Sequence, residues 1–409
     1  MTDKKKKLLD GIKVVDLTRV YAGPFSSQIL ADMGAEIIKI EDGGPNTNER
    51  SWAPFAPGTQ ESTYFIGLNR GKKSIELNLK EPKALEIFYK LVKDADIVME
   101  NYAPGVAPKL LVGYEQCKKI KPDVIYLSIS TFGQYGPLSK LPGYDMLAQA
   151  MGGLMSITGY PEKPVRVGSS LGDVISGLYG TIAVLGALNY RNLTGEGQYI
   201  DVALIDCIFT CLENNVPAYT ITGRKPRRMG SRHPDGGPYD VYNCKDGFVG
   251  VVASNEKLWG SMCQTMGRPE LAKDPKFDSN VTRMKNVEEM TEIINNWMKD
   301  FTVEETMAKL REARVPVAPI LEVPQICESE NTKARNMLVE FEHATAGRIR
   351  LAGNPVKYGA YAAIAELPPP FKGQHTPEIL ASLGYSKNEI DELLKSGVIG
   401  DGYITRAKK

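Results

Sequence analysis

The chain has 409 residues, with 50 basic and 49 acidic side chains and a formal net charge of +1. That length can bury a large core and fits two domains, while the balanced charge gives no footprint for a nucleic-acid or anionic-membrane partner. No apolar run reads as long enough to span a bilayer, and Met1 to Lys7 is basic without the apolar stretch of a secretory signal, so a soluble cytoplasmic protein is expected.

Lys13 to Leu17 reads as a short apolar strand, followed by the loop Arg19-Val20-Tyr21-Ala22-Gly23-Pro24. Phe25 to Met33 reads as a helix stopped at Gly34, and Glu36 to Glu41 as a second strand, which together open a parallel sheet. The dinucleotide fingerprint G-x-G-x-x-G is absent from this first turn, so a nicotinamide or flavin site has no support. Lys73 to Leu79 alternates like a strand, and Pro82 to Ala95 has helical spacing at Leu85, Phe88, Leu91 and Val92. Ile97 to Glu100 and Val124 to Ser130 are further strands. The loop Asn101-Tyr102-Ala103-Pro104-Gly105 follows the first of them, at the carboxyl end where open α/β sheets bind ligands.

Gly172-Asp173 then opens an apolar, glycine-bearing run from Val174 to about Asn189, read as a buried helix with Gly177, Gly180 and Gly186 allowing close backbone approach. Asp173 would sit at or near its N-terminus, where backbone N–H groups favour an anion. On position alone, a simple N-cap is the favoured reading of Asp173, and it is the rest of the chain that turns the reading toward chemistry. Leu193 to Gln198 is a helix stop and tight turn into a strand, Tyr199 to Leu204. Pro226 to Pro238 is rich in Arg, Gly and Pro and reads as a linker or mobile loop ending in Gly236-Gly237. Phe248 to Ala253, Val287 to Lys299 and Val303 to Ala313 indicate a smaller α/β domain, and Pro377 to Gly384 and Lys387 to Lys395 read as two tail helices. The expected division is a large domain from 1–205 and 356–409, a small domain over 229–325, and linkers at 206–228 and 326–355.

The six cysteines are scattered without a Cys-x-x-Cys pair, and the three histidines lack metal-site spacing, so free thiols and no metal are expected.

Several pieces together resemble the class III CoA-transferases, the family of formyl-CoA and carnitine CoA-transferases. They are Ala22-Gly23-Pro24, Leu30 to Glu41, Asn101 to Gly105, Gly143-Tyr144-Asp145, Gly172-Asp173, Thr194 to Gln198, and Gly373-Gln374-His375-Thr376 followed by Leu383-Gly384. The resemblance runs nearly end to end. It implies a Rossmann-like parallel-sheet large domain with a smaller α/β domain, in an interlocked homodimer. It implies no permanently bound cofactor, with an acyl-CoA thioester and a small carboxylic acid as substrates. Asp173 matches the family's nucleophile, which forms an anhydride and then an aspartyl-CoA thioester, chemistry that keeps the acyl group activated where hydrolysis would lose it.

CoA contacts implied by the same resemblance fall on Val20, Tyr21, Ala22, Leu77, Lys80, Asn101, Tyr102, Lys109, Tyr144 and Asp145, and a lid role on Gly236 and Gly237. Three positions depart from the formyl-CoA enzyme. Lys109 replaces an arginine and lacks its bidentate fork, Asp42 stands at another arginine's place, and Tyr21 replaces a glutamine beside the acyl group. An α-methylacyl-CoA racemase is the alternative within the family. Those enzymes carry histidine where this chain has Tyr144, and a tyrosine with a pKa of roughly 10 is a poor base near neutrality. A non-catalytic CoA-binding protein is the alternative outside catalysis, disfavoured because Asp173 is present.

Overall fold

In the computed structural model, residues 6–42, 48–359, 361 and 363–400 are described. The chain divides into two compact units. The large one takes Met1–Leu154, Gly168–Glu213 and Asn331–Lys409, the small one Met155–Val167 and Asn214–Glu330.

The large unit is built on six strands: β1 (Lys13–Asp16), β2 (Glu36–Glu41), β3 (Lys72–Glu76), β4 (Ile97–Glu100), β5 (Ile125–Ser130) and β6 (Tyr199–Ala203). Their order is β3-β2-β1-β4-β5-β6 and every neighbouring pair is parallel, the doubly wound arrangement of nucleotide-binding folds. β4 and β5 are buried at every position, as strands covered on both faces must be. Helices α1 (Ala22–Asp32), α2 (Pro82–Asp94), α3 (Asp145–Met151) and α4 (Leu171–Thr194) follow the strands or the loops after them. α2 starts at Pro82, whose missing N–H suits a first turn, and buries Ala84, Ile87, Phe88, Leu91 and Val92.

α4 corrects one expectation. At 24 residues it is long and apolar enough to cross a membrane by length and composition alone. Its small-residue side is used for packing instead. A Cβ at Gly177 would lie 2.7 Å from the Ala22 carbonyl, and one at Gly180 would lie 3.1 Å from Leu127 of β5, so α4 lies close against α1 and the sheet. The Ser26 and Thr181 hydroxyls join the two helices at 3.0 Å.

The C-terminal segment returns to the edge of the sheet. On β3, the Ser74 carbonyl accepts the His375 N–H at 2.9 Å, the Ser74 N–H donates to His375 Nδ1 at 3.1 Å, and the Ser74 hydroxyl accepts the Gly373 N–H at 2.8 Å. Further along, Asn78 N–H donates to the Val398 carbonyl at 2.9 Å, and Leu77 bridges Ile399. Burial lowers the His375 pKa, and only the neutral ring can accept at Nδ1. Its folded pKa lies below the unfolded value, so its contribution is present above about pH 6.5 and is lost as pH falls below that. Lowering the pH from 7.5 to 5.5 is expected to reduce the amide-exchange protection factors of Ser74 and His375 in the wild type, each rate being taken relative to the intrinsic rate at that pH. A His375→Gln variant, which keeps an acceptor but does not titrate, should show no such step.

The small unit differs from the α/β domain expected. Its sheet is antiparallel, ordered Val317–Pro319, Phe248–Val252, Tyr239–Asn243, because the last two strands are joined by the short turn Cys244 to Gly247, which reverses the chain. Helices Glu256–Thr265, Val287–Met298 and Val303–Glu312 cover it around Trp259, Met262, Met290, Ile294 and Leu310. The unit also takes 155–167, where Arg228 donates to the carbonyls of Tyr160 at 2.8 Å and Pro161 at 2.7 Å. The 326–355 segment, expected as a linker, contains a hairpin, Leu338–His343 with Gly347–Ala352, and belongs to the large unit from Asn331 onward.

Candidate active site

Asp173 is the third residue of α4, in its first turn after Ser170, and is partly buried. A helix N-terminus by itself would lower a carboxyl pKa. Here burial, with the neighbouring Asp145 carboxylate adding to it, raises that of Asp173 to about 7. Asp145 is more deeply buried and its oxygens are engaged: Oδ1 accepts the Gly172 N–H at 2.8 Å and Oδ2 the Gln149 amide at 2.8 Å. It thereby caps the start of α4 immediately before Asp173, which sets it beneath the nucleophile candidate rather than in an open ligand groove.

The α1 N-terminus lies beside this turn. Tyr21 precedes α1, its ring 5.7 Å from Phe25 and 6.0 Å from Tyr64, and Trp52 stands 5.1 Å from Tyr64. Burial and the Asp173 charge both raise the pKa of Tyr21 and Tyr64, so these phenols stay protonated around the carboxylate.

A buried ionic cluster shapes the loop that carries Tyr21. Asp16, at the end of β1, accepts from the Thr18 N–H at 2.8 Å, from the Thr18 hydroxyl and from the Ser27 hydroxyl at 2.6 Å, and pairs with Lys72 at 3.3 Å. Lys72 also donates to the Pro24 carbonyl at 3.0 Å and the Asn69 amide oxygen at 2.9 Å, and Lys39 donates to the Thr18 carbonyl at 2.6 Å. The two ammonium groups and two hydroxyls outweigh burial and hold Asp16 down at about 2. Gly23 is required at this turn, since a Cβ there would lie 2.3 Å from the Thr18 side chain. Val20 has φ +66°, a conformation β-branched residues rarely adopt. It is held from outside by Asn101, whose Oδ1 accepts the Arg19 N–H and whose Nδ2 donates to the Arg19 carbonyl, each at 2.7 Å.

Tyr102, Leu77 and Lys80 converge on one cavity of about 240 Å³ at the carboxyl end of the sheet, shared with Arg19, Asp42 and Leu79. The Arg19 guanidinium lies 5.2 Å from the Tyr102 ring centre and 3.5 Å from Asp42. Asp42, which stands where the resemblance expects an arginine, is thus faced by Arg19 as the local cation.

Other expected residues lie elsewhere. Lys109 is exposed at the end of the short helix Val106–Lys109. Tyr144 is 70 % exposed before α3. Gly236 and Gly237 lie in the small unit, where the Gly237 N–H donates to Asn280 at 3.1 Å and its carbonyl accepts from the buried Arg283 at 2.8 Å. Any lid motion of that pair would carry the Asn280–Lys285 helix with it. Arg19, Trp52, Tyr64 and the Asp16 cluster went unread in the sequence. Only Arg19 carried a signal there, as the residue beside the Val20-Tyr21-Ala22 loop.

Three comparisons bear on this geometry. The profile of CoA-transferase family III matches residues 9–376. The human succinyl-CoA:glutarate CoA-transferase is 37 % identical over 396 residues, 96 % of this chain and 90 % of that protein. The acetyl-CoA:oxalate CoA-transferase of Acetobacter aceti is 39 % identical over 360 residues, 88 % and 91 % of the two chains. A CAIB/BAIF family protein from Brucella suis superposes with a TM-score of 0.84 at 34 % identity, covering 93 % of this chain and all of that one (100 %).

Proposed function

Because the chain belongs to CoA-transferase family III, an enzyme family acting on CoA thioesters, we propose that it moves CoA from an acyl-CoA donor to a small dicarboxylic acid through covalent intermediates on Asp173. The observation that carries this is the partly buried Asp173 carboxylate in the first turn of α4, with its proton affinity raised and phenols around it. A less basic carboxylate is a poorer nucleophile, so raising the pKa toward neutrality strengthens the attack, and the group is ionised once the pH exceeds about 7.

An Asp173 oxygen attacks the thioester carbonyl, the C–S bond breaks, and CoA leaves as thiolate with an acyl-aspartyl anhydride formed. The thiolate then attacks the aspartyl carbonyl of the anhydride, releasing the donor acid and leaving aspartyl-CoA thioester. The acceptor carboxylate attacks that thioester and expels CoA thiolate. The thiolate finally attacks the acceptor carbonyl of the second anhydride, which yields the new acyl-CoA and returns the Asp173 carboxylate. Each intermediate is open to hydrolysis, so the aromatic shelter of Tyr21, Tyr64 and Trp52 serves to exclude water.

In this reading the cavity of Arg19, Leu77, Lys80 and Tyr102 takes part of CoA, with Arg19 and Lys80 as phosphate cations and the Val20–Ala22 backbone beside the thioester. Asn101 holds that backbone in place. Asn101→Leu is expected to raise the KM for acyl-CoA about thirtyfold, the loss of two hydrogen bonds each contributing about 1 kcal/mol, while leaving kcat within about threefold in steady-state assays. Asp145 acts as a positioning residue for α4. Relatives named for glutarate and oxalate support a dicarboxylic acceptor. A homodimer is supported by exposed apolar side chains on α3 and α4, namely Met146, Leu147, Met151, Leu178 and Ile182.

The test is peptide mass spectrometry after incubation with a panel of acyl-CoAs in heavy water. An acyl or CoA adduct on the Asp173 peptide, lost in Asp173→Ala, is the expected result. Deuterium entering the substrate α-carbon without an adduct would overturn the reading in favour of racemisation.

A further inference from the structure

Glu100 is the last residue of β4, and its carboxylate is buried with no Lys or Arg paired to it among the described residues. Burying an uncompensated carboxylate is costly. Here burial, with the Asp201 charge adding to it, raises the Glu100 pKa to about 7 against the two hydrogen bonds that lower it. Those two bonds are all that the group receives, and they tie together different parts of the sheet. Glu100 Oε2 accepts the Tyr102 N–H at 2.7 Å. Oε1 accepts the hydroxyl of Ser128, its register partner on β5, and that hydroxyl accepts from the Tyr199 hydroxyl of β6 at 3.3 Å.

The loop that follows Glu100 has space on both sides. Tyr102 lines the cavity of about 240 Å³ assigned above to CoA, whereas Ala103 and Gly105 line one of about 380 Å³ behind it. Packing alone does not fill both sides, so the loop depends on its hydrogen bonds for its position. The Asn101 side chain is committed to the Arg19 backbone, which leaves the Tyr102 N–H to Glu100. A neutral acceptor can cap such a turn, but an ionised one makes a bond roughly twice as strong. That gain is what the cost of the buried charge is set against.

We propose that Glu100 is a positioning residue for the CoA thioester: anchored to β5 through Ser128, it fixes the Tyr102 backbone and so holds the Tyr102 ring beside Arg19 in the CoA cavity. The inference rests on the assignment of that cavity to CoA under the proposed function, and not on the chemistry at Asp173.

The experiment is isothermal titration calorimetry of the full chain with CoA, on wild type, Glu100→Leu, Glu100→Gln and Ser128→Ala, with a melting curve for each to establish folding. Glu100→Leu leaves the Tyr102 N–H without its acceptor and is expected to weaken CoA binding at least about tenfold. Glu100→Gln keeps an oxygen for that N–H, and Ser128 can accept from its amide, so most of the loss should be recovered. Ser128→Ala frees the far end of the carboxylate and should weaken binding about threefold or more. In steady-state assays the KM for acyl-CoA should rise in step while kcat falls by less than about threefold, a split that general loosening of the fold would not give. If Glu100→Leu does not fold, Ser128→Ala decides. CoA affinity equal to wild type in whichever of these is folded, or no recovery in Glu100→Gln, overturns this inference alone. No CoA binding by the wild type overturns the cavity assignment and the inference with it.

Discussion

Replacing Asp173 with asparagine is expected to abolish CoA transfer, by at least about 10⁴-fold in kcat, because no other group in the mechanism proposed above forms the anhydride. The same substitution should make the protein more stable. In the folded state the Asp173 pKa is raised to about 7 from an ordinary carboxyl value of 3.8, chiefly by burial and then by Asp145. Between those two values the native state holds a proton that the unfolded chain releases, so the contribution of Asp173 to stability falls as pH rises. Above pH 7 the full penalty of a sheltered carboxylate is present, and asparagine removes it. A higher melting temperature for Asp173→Asn at pH 8, shrinking toward zero near pH 4.5, is the expected pattern. Equal melting curves at pH 8 would mean that the carboxylate is solvated and not poised. The transfer rate of the wild type should rise through about pH 7 for the same reason, since the attacking form is the ionised one.

The second large effect is expected at Asp16, which is fully buried. Asp16→Asn keeps the volume but leaves Lys72 and Lys39 buried without their carboxylate. Removing one partner of a buried ion pair costs about 3–5 kcal/mol, a large share of the stability of an ordinary domain. In urea unfolding the midpoint should fall steeply. Because Lys72 and Lys39 hold the Pro24 and Thr18 carbonyls on either side of Tyr21, the KM for acyl-CoA should rise in whatever protein remains folded. The Asp16→Asn, Lys72→Met double variant should lose less stability than the two single changes summed. Strict additivity would show that the pair is not coupled.

The large unit was legible in the sequence because its strands are short apolar runs buried on two faces and separated by helices of clear period. β2 and β4 have the expected bounds, and the others shift by one to three residues at their ends. The antiparallel order of the small sheet was not legible, since a strand's pattern reports its burial and not its partner. The Leu338–Ala352 hairpin was missed because its exposed alternate residues, such as Glu340, Glu342, Arg348 and Arg350, read as polar linker. Asp173 stood out through the glycine before it and the apolar helix after it. The Asp16 cluster did not, because it joins positions 16, 27, 39 and 72 that only the closed sheet brings together. The same holds for Trp52 and Tyr64 around Tyr21.

The docking of the tail against β3 sets an order of events during synthesis. The strands β1 to β3 leave the ribosome early, yet the edge of β3 acquires its cover only from Gly373 to Thr376 and from Val398 to Ile399, some 300 residues later. Until those residues are made the nascent chain carries an open, hydrogen-bonding sheet edge, the feature that invites pairing with another chain. A truncation before Gly373 would therefore leave the first-made part of the protein as its most aggregation-prone part.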